Sequence, residues 1–251
     1  MPDPILGVPW LVATVSGLHD ETEAAKSIAF EVQDWPGHLA GQHIDLRLTA
    51  EDGYVAQRSF SLASPAGAST SIEITVQRVK DGEVSPFLLD ELRVGDQIEL
   101  RGPIGGYFTW ATSSNRPLML LGGGSGVVPL MSILRTRRVA GSAVQARLLY
   151  SSRSVDQILY RAELDEIGAT AGGPEIVHTL TRGAPPGWAG EQGRVDEAML
   201  ARQSIGANDE PDIFVCGPTP FVESVADHLL SLGHAEANIR TERFGPTGET
   251  K

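Results

Sequence analysis

Cysteine is almost absent from this chain. Its 251 residues include one, Cys216, which excludes an internal disulfide and a cysteine-ligated iron–sulfur cluster within the chain. Positive charge is also scarce: 20 Lys and Arg stand against 32 Asp and Glu, for a formal net charge of -12. Nucleic acid and anionic membrane both require concentrated Lys and Arg, so neither is expected as a partner. The one basic cluster, Arg135, Arg137 and Arg138, reads as the solvated end of a helix near its negative pole. Motifs for metal and hydrolase chemistry are missing too. The six histidines show no His-Glu-x-x-His or Cys-His spacing, so no metal is assigned, and no Gly-x-Ser-x-Gly elbow supplies a nucleophile. The opening Met1-Pro2-Asp3-Pro4 lacks the basic region and apolar core of a signal peptide. The uncharged run from Pro117 to Leu134 is broken by four glycines and two prolines, where a lipid-facing helix needs continuous hydrogen bonding. A soluble cytoplasmic protein is expected.

The informative stretch is Leu118 to Leu134. Leu118-Met119-Leu120-Leu121 carries no charge on either face, as suits the central strand of a parallel sheet covered on both sides. Gly122, Gly123, Gly124, Ser125 and Gly126 follow, allowing a tight turn and close approach of a ligand to main-chain N–H groups. Pro129 then marks a first helical turn, with Leu130, Ile133 and Leu134 at helical spacing. Strand, glycine loop and helix start in that order form an anion site of the kind that takes a pyrophosphate. The loop is neither Gly-x-Gly-x-x-Gly nor a P-loop, so the rest of the chain must decide between a ligand site and a plain turn.

The chain length suits two medium domains. Residues 1–112 read as a barrel of short antiparallel strands at Trp10–Val15, Ser27–Val32, His43–Leu48, Ser71–Val76 and Gln97–Leu100. Within this region Gln57-Arg58-Ser59-Phe60-Ser61 is extended, so Arg58 and Phe60 share one face while Ser61 points away. A guanidinium suits phosphate, and an aromatic ring offers a flat surface to a flavin or base; an ordinary strand with a surface Arg and a core Phe fits equally. Further on, Ser85 is expected to cap a short helix through Leu92, with Pro86 at its first position. Thr112–Pro117 reads as a linker. Residues 113–251 then alternate strands (Val144–Tyr150, Glu175–Leu180, Asp212–Cys216) with helices (Leu159–Ile167, Asp196–Arg202, Phe221–Leu232), the pattern of a doubly wound parallel sheet with ligands at the carboxyl ends of its strands. At those ends stand Ser151-Ser152-Arg153, where two hydroxyls and an arginine favour a 2′-phosphate over a 2′-hydroxyl, although Asp156 lies close by. Arg182 adds charge after the next strand. Cys216-Gly217-Pro218 closes another strand, where a neutral thiol can pack beside a nicotinamide.

Three ordered segments, Arg58-Ser59-Phe60-Ser61, Gly122-Gly123-Gly124-Ser125-Gly126-Val127-Val128-Pro129 and Cys216-Gly217-Pro218, together resemble the ferredoxin-NADP reductase superfamily, in particular the reductase components of bacterial oxygenases. The resemblance implies an FAD-binding barrel over 1–112 and an NAD(P)-binding α/β domain over 113–251. Arg58 would hold a flavin phosphate, Ser59 and Phe60 would line the flavin, and Ser61 would bond near its N5; relatives usually carry Tyr at Phe60. Gly82, Val84 and Ser85 match the segment that contacts the FAD pyrophosphate, with Gln77 and Val79 just ahead of it as further contacts. Gly123, Gly124, Ser125 and Gly126 would take the nucleotide pyrophosphate, while Ser152, Arg153 and Arg182 favour NADPH, with NADH as the alternative. Cys216, Gly217 and Pro218 would lie by the nicotinamide. Thr241-Glu242-Arg243-Phe244 is similar to the family's carboxyl-terminal Glu-x-aromatic element, with Glu242 as a proton relay and Phe244 as a cofactor contact; a surface carboxylate in a fraying tail is the rival reading. The implied activity passes hydride from NAD(P)H to FAD and then single electrons to a separate ferredoxin or oxygenase component, the two coenzymes meeting in a crevice between the domains. A free-flavin or ferric-chelate reductase, or a non-catalytic flavin-binding electron-transfer subunit, is the alternative.

Overall fold

The computed structural model describes residues 7–50 and 52–244. They cluster into two compact units: one gathers the residues up to Ala111 with Met131–Val139, the other Thr112–Leu130 with the residues from Ala140 onward.

The first unit is an antiparallel sheet of β1 (Leu11–Thr22), β2 (Ala25–Glu31), β3 (His43–Thr49), β4 (Val55–Ser61), β5 (Ser71–Gln77) and β6 (Gln97–Ile104), in the order β4-β3-β6-β1-β2-β5. The two outer strands meet just past β4, where Leu62 bridges Ile74 and the Ala63 N–H donates to the Glu73 carbonyl at 2.7 Å, so the sheet closes. Alternation explains the strands: Ile72, Ile74 and Val76 of β5 point inward and are essentially inaccessible. They join Ile28, Phe30, Ile44, Leu46 and Leu100 in one core. A short helix, α1 (Val84–Pro86), runs into a wider turn, Phe87–Glu91, whose Leu88 and Leu89 seal that core.

Two local expectations fail here. Ser85 does not cap the helix; it lies inside it, buried, and its hydroxyl accepts the Val79 N–H at 2.9 Å, tying the preceding turn down instead. Pro86 is accordingly third in the helix, not first. Of the basic cluster only Arg138 stands at a solvated helix end. Arg135 donates to the Ala63 carbonyl at 3.0 Å and pairs with Glu73 at 2.5 Å, and Arg137 is 6% exposed, because Met131–Val139 packs within this unit.

The second unit is a wholly parallel sheet, β10-β9-β8-β7-β11-β12, of β7 (Leu118–Gly123), β8 (Ala146–Ser152), β9 (Glu175–Leu180), β10 (Glu191–Gln192), β11 (Asp212–Pro218) and β12 (Ile239–Phe244). Every residue of β7 is buried. Its helices are the start of α2 (Val127–Val139), α3 (Arg161–Ala169), α4 (Glu197–Gln203) and α5 (Thr219–Ser231). Asp196 caps α4 by accepting the Met199 N–H at 2.8 Å, and α5 carries proline in its first turn and is followed by Gly233 at φ +88°. The chain winds outward from β7 to β10 and then returns to β11 on the other side of β7. That reversal is the topological switch point of a doubly wound sheet, where ligands bind.

One buried carboxylate fixes the strand that carries Arg58. Asp45, 3% exposed, accepts from Ser59 Oγ at 2.6 Å, Gln57 Nε2 at 2.9 Å, and Arg101 Nε and Nη2 at 3.0 and 2.9 Å. Asp45→Ala leaves Arg101 without its counter-charge, and unfolding by urea should show a loss of about 3 kcal/mol.

Candidate functional site

The expected site residues fall into one group in each unit. In the first unit Arg58 and Phe60 lie opposite Leu46 and Ile44 on β3 and so share a face, whereas Ser59 faces Asp45 and Ser61 faces His43. Ser59 therefore spends its hydroxyl on Asp45, on the side of the strand away from Arg58. Phe60 is half-buried against the barrel core and presents the rest of its ring. The Arg58 side chain, 56% exposed, donates to the Gln57 carbonyl at 2.7 Å and lies 3.7 Å from Glu83 Oε2. Glu83 in turn accepts from the Tyr54 hydroxyl at 3.2 and 3.3 Å. Sequence patterns gave no sign of this three-residue clasp, because its members come from the turn before β4, from β4 itself and from the loop before α1.

The loop before α1 is closely packed. A Cβ on Gly82 would lie 3.1 Å from the Val79 carbonyl and 3.2 Å from Ser85 Oγ. Val84 buries its side chain in the core, so it can offer a ligand only its backbone. Val79 is exposed and Gln77 half-buried at the end of β5. A cation on an exposed strand, an aromatic face and a tied-down glycine turn form a donor set that fits a flavin and its phosphate.

In the second unit the ends of β7 and β11 meet with no room for side chains. A Cβ on Gly126 would lie 2.1 Å from the Cys216 carbonyl oxygen and 2.7 Å from the Gly217 nitrogen. Cβ atoms on Gly123 and Gly217 would strike the Phe221 ring at 2.9 and 2.7 Å. Of the loop glycines only Gly124 has positive φ, at +56°, so packing explains the composition better than turn geometry does. Gly124–Gly126 forms a single tight turn that leads straight into α2, leaving backbone N–H groups at a helix start.

Register sets Cys216 beside Gly122 on one side and Glu242 on the other. Glu242 belongs to β12, paired along its length with β11, which overturns the reading of a fraying tail. Burial pushes its carboxyl up to about 7. Burial also raises the Cys216 thiol, helped by the neighbouring Glu242 charge, so the thiol stays neutral. Pro218 and Phe244 close the two strands and are exposed.

At the ends of β8 and β9 the structure joins what sequence could only place in order. The Arg182 N–H donates to the Arg153 carbonyl at 2.8 Å, and the Thr181 N–H to the Ser152 carbonyl at 2.9 Å. Both arginines are exposed, and neither has an ion pair among the described residues. The buried Ser152 hydroxyl has no hydrogen-bond partner. Two exposed guanidiniums without ion pairs, on residues joined main chain to main chain, form a donor set that fits a phosphate ester. Sequence reasoning missed a cavity of about 800 Å³ nearby, lined by Arg161, His178 and Trp188. There the His178 ring lies 5.7 Å from Tyr150 and 6.4 Å from Trp188, with both nitrogens unpartnered and its pKa lowered by burial. Among the described residues no cluster of side chains could hold a metal ion, and no helix is long and apolar enough to cross a membrane.

The Glu242 shift has a measurable consequence. A carboxyl whose pKa rises from 4.5 to about 7 on folding binds its proton more tightly folded than unfolded, so its contribution to stability falls as pH climbs through that window. Glu242→Gln removes the penalty. Melting temperatures of the two proteins should diverge in favour of Glu242→Gln between pH 5 and pH 8, by at most about 3 kcal/mol in stability; a constant difference would show that the carboxyl is not perturbed.

Family models match both parts of the chain: an oxidoreductase FAD-binding domain over residues 23–109 and an oxidoreductase NAD-binding domain over residues 120–227. The glycine betaine monooxygenase reductase subunit of Chromohalobacter salexigens is 34% identical over 209 residues, 82% of this chain and 56% of that one. This chain thus spans little more than half the length of that relative. Ferredoxin–NADP reductase B of Sorangium cellulosum is 32% identical over 226 residues, 87% of this chain and 91% of that one. Among solved structures, the flavohem-like FAD/NAD-binding domain of nitric oxide dioxygenase from Vibrio cholerae superposes with a TM-score of 0.84 at 26% identity, covering 94% of this chain and 99% of that one. A closed antiparallel sheet with the FAD-domain match, followed by a doubly wound sheet with the NAD-domain match, places this chain in the ferredoxin-NADP reductase superfamily.

Proposed function

We propose that the chain is an FAD-dependent NAD(P)H reductase that supplies electrons to a separate ferredoxin or oxygenase component, with NADPH as the preferred donor. The observation that carries the nucleotide half is the main-chain pairing of Arg153 with Arg182 past the ends of β8 and β9, both side chains exposed and without ion pairs among the described residues. Two of its relatives, a glycine betaine monooxygenase reductase subunit and a ferredoxin–NADP reductase, support the choice of acceptor. When bound, the flavin would accept a hydride equivalent from the nicotinamide and release electrons one at a time, chemistry that no side chain of this protein supplies.

The residues do the rest. Arg58 would neutralise a flavin phosphate, and backbone N–H groups of Val84 and Ser85 would complete its shell, the Gly82 N–H already donating to the Val79 carbonyl at 3.1 Å. Phe60 would lie against the ring with no hydroxyl to offer it, and Ser61 would hold the ring edge. Gly123–Gly126 would receive the nucleotide pyrophosphate at the α2 start. Cys216, kept neutral by burial, would pack beside the nicotinamide without adding charge. Glu242, with a pKa of about 7, would hold or release a proton near neutral pH, as a relay requires.

Steady-state kinetics with an artificial acceptor test the donor assignment. Arg153→Ala should raise KM for NADPH by about 10- to 100-fold, the loss of a charge-assisted hydrogen bond, and leave KM for NADH nearly unchanged. Equal effects on both donors would refute it.

A further inference from the structure

The clasp of Tyr54, Arg58 and Glu83 bears on which flavin this barrel accepts. Glu83 sits between Gly82 and Val84, inside the loop whose backbone would cradle phosphate, and its carboxylate stands 3.7 Å from the guanidinium that would neutralise it. The Tyr54 hydroxyl donates to both carboxylate oxygens, at 3.3 and 3.2 Å, so the charge is held in place. The Glu83 charge in turn raises the Tyr54 pKa, the hydrogen bond between them being the largest cause. Lys80 and Asp81, just ahead in the same turn, carry opposite charges and largely offset each other. A phosphate drawn to Arg58 therefore meets one cation and one anion.

Flavins differ in what they bring to such a place. A phosphomonoester carries a charge of about -1.5 to -2 near pH 7 on one phosphorus. Each phosphorus of a doubly esterified diphosphate carries a single charge, and the second can sit farther from the carboxylate. Repulsion from Glu83 scales with the charge placed next to it. We propose that Glu83 is a specificity-determining residue that penalises a flavin ending in a phosphomonoester, FMN, more than the diphosphate-linked FAD. The inference rests on the reading of Arg58 and Gly82–Ser85 as the flavin-phosphate site.

Dissociation constants of the whole 251-residue chain and of its Glu83→Gln variant, for riboflavin, FMN and FAD, test it by flavin fluorescence at low salt and at high salt. The Arg58 and Glu83 side chains are 56% and 55% exposed, so the changes will be modest. At low salt Glu83→Gln should tighten FMN about fivefold and FAD about twofold, the range of exposed charge pairs, leave riboflavin unchanged, and lose most of the FMN gain at high salt. Equal tightening of FMN and FAD, or a matching gain for riboflavin, would overturn the role of Glu83 while leaving the flavin site standing. Failure of both proteins to bind any flavin would overturn the site reading itself, and this inference with it.

Discussion

The ends of β7 and β11 approach so closely that the backbone leaves no space for a Cβ at Gly126, where one would fall 2.1 Å from the Cys216 carbonyl oxygen. Gly123 and Gly217 yield the same space to the Phe221 ring. This steric constraint joins the two strands at the point where the winding of the sheet reverses and presents the first amides of α2 there. It also places Cys216 in register between Gly122 and Glu242, so the thiol and carboxyl that chemistry would use are set by main-chain packing rather than by their own contacts. A methyl group on that loop would separate strands, helix start and side chains together.

Burial then does the electrostatic work. Inside the sheet a thiol and a carboxyl both resist ionisation, and the adjacent Glu242 charge raises the thiol further. The result is a neutral Cys216 next to a Glu242 poised near neutrality at about 7. Asp45 is buried but held by four donor groups from Gln57, Ser59 and Arg101, so its charge serves to hold β4 against β3. Arg58, on the other face of β4, and Glu83, in the loop before α1, keep exposed side chains that a ligand can reach.

Much of this was legible in the sequence because covered parallel strands read as unbroken apolar runs: Leu118–Leu121 and Ile213–Cys216 show it plainly. The capped α4 and the α5 boundaries follow local chemistry that neighbours do not override, while the glycine run signals a close approach whose partners lie far along the chain. What stayed hidden depends on tertiary partners. β10 is two residues long, too short for any period, and β12 is mostly polar, recognisable as a strand only through its pairing with β11. Ser85 carries the signature of a helix cap, but the Val79 N–H lies within reach and claims its hydroxyl. Arg135 and Arg137 look like a solvent-facing helix end in sequence, yet packing within the first unit turns them inward. Ser59 looked available to a cofactor until Asp45 appeared opposite it.

The central claim is that the loop ending in Gly126 and the arginines after β8 and β9 grip one pyridine nucleotide. Amide chemical shifts of the 15N-labelled chain during titration with NADP+ address it directly. The account predicts saturable shifts concentrated at Gly124, Ser125 and Gly126 together with Arg153 and Arg182, all with one dissociation constant. Saturable binding that leaves those five amides unmoved would contradict it.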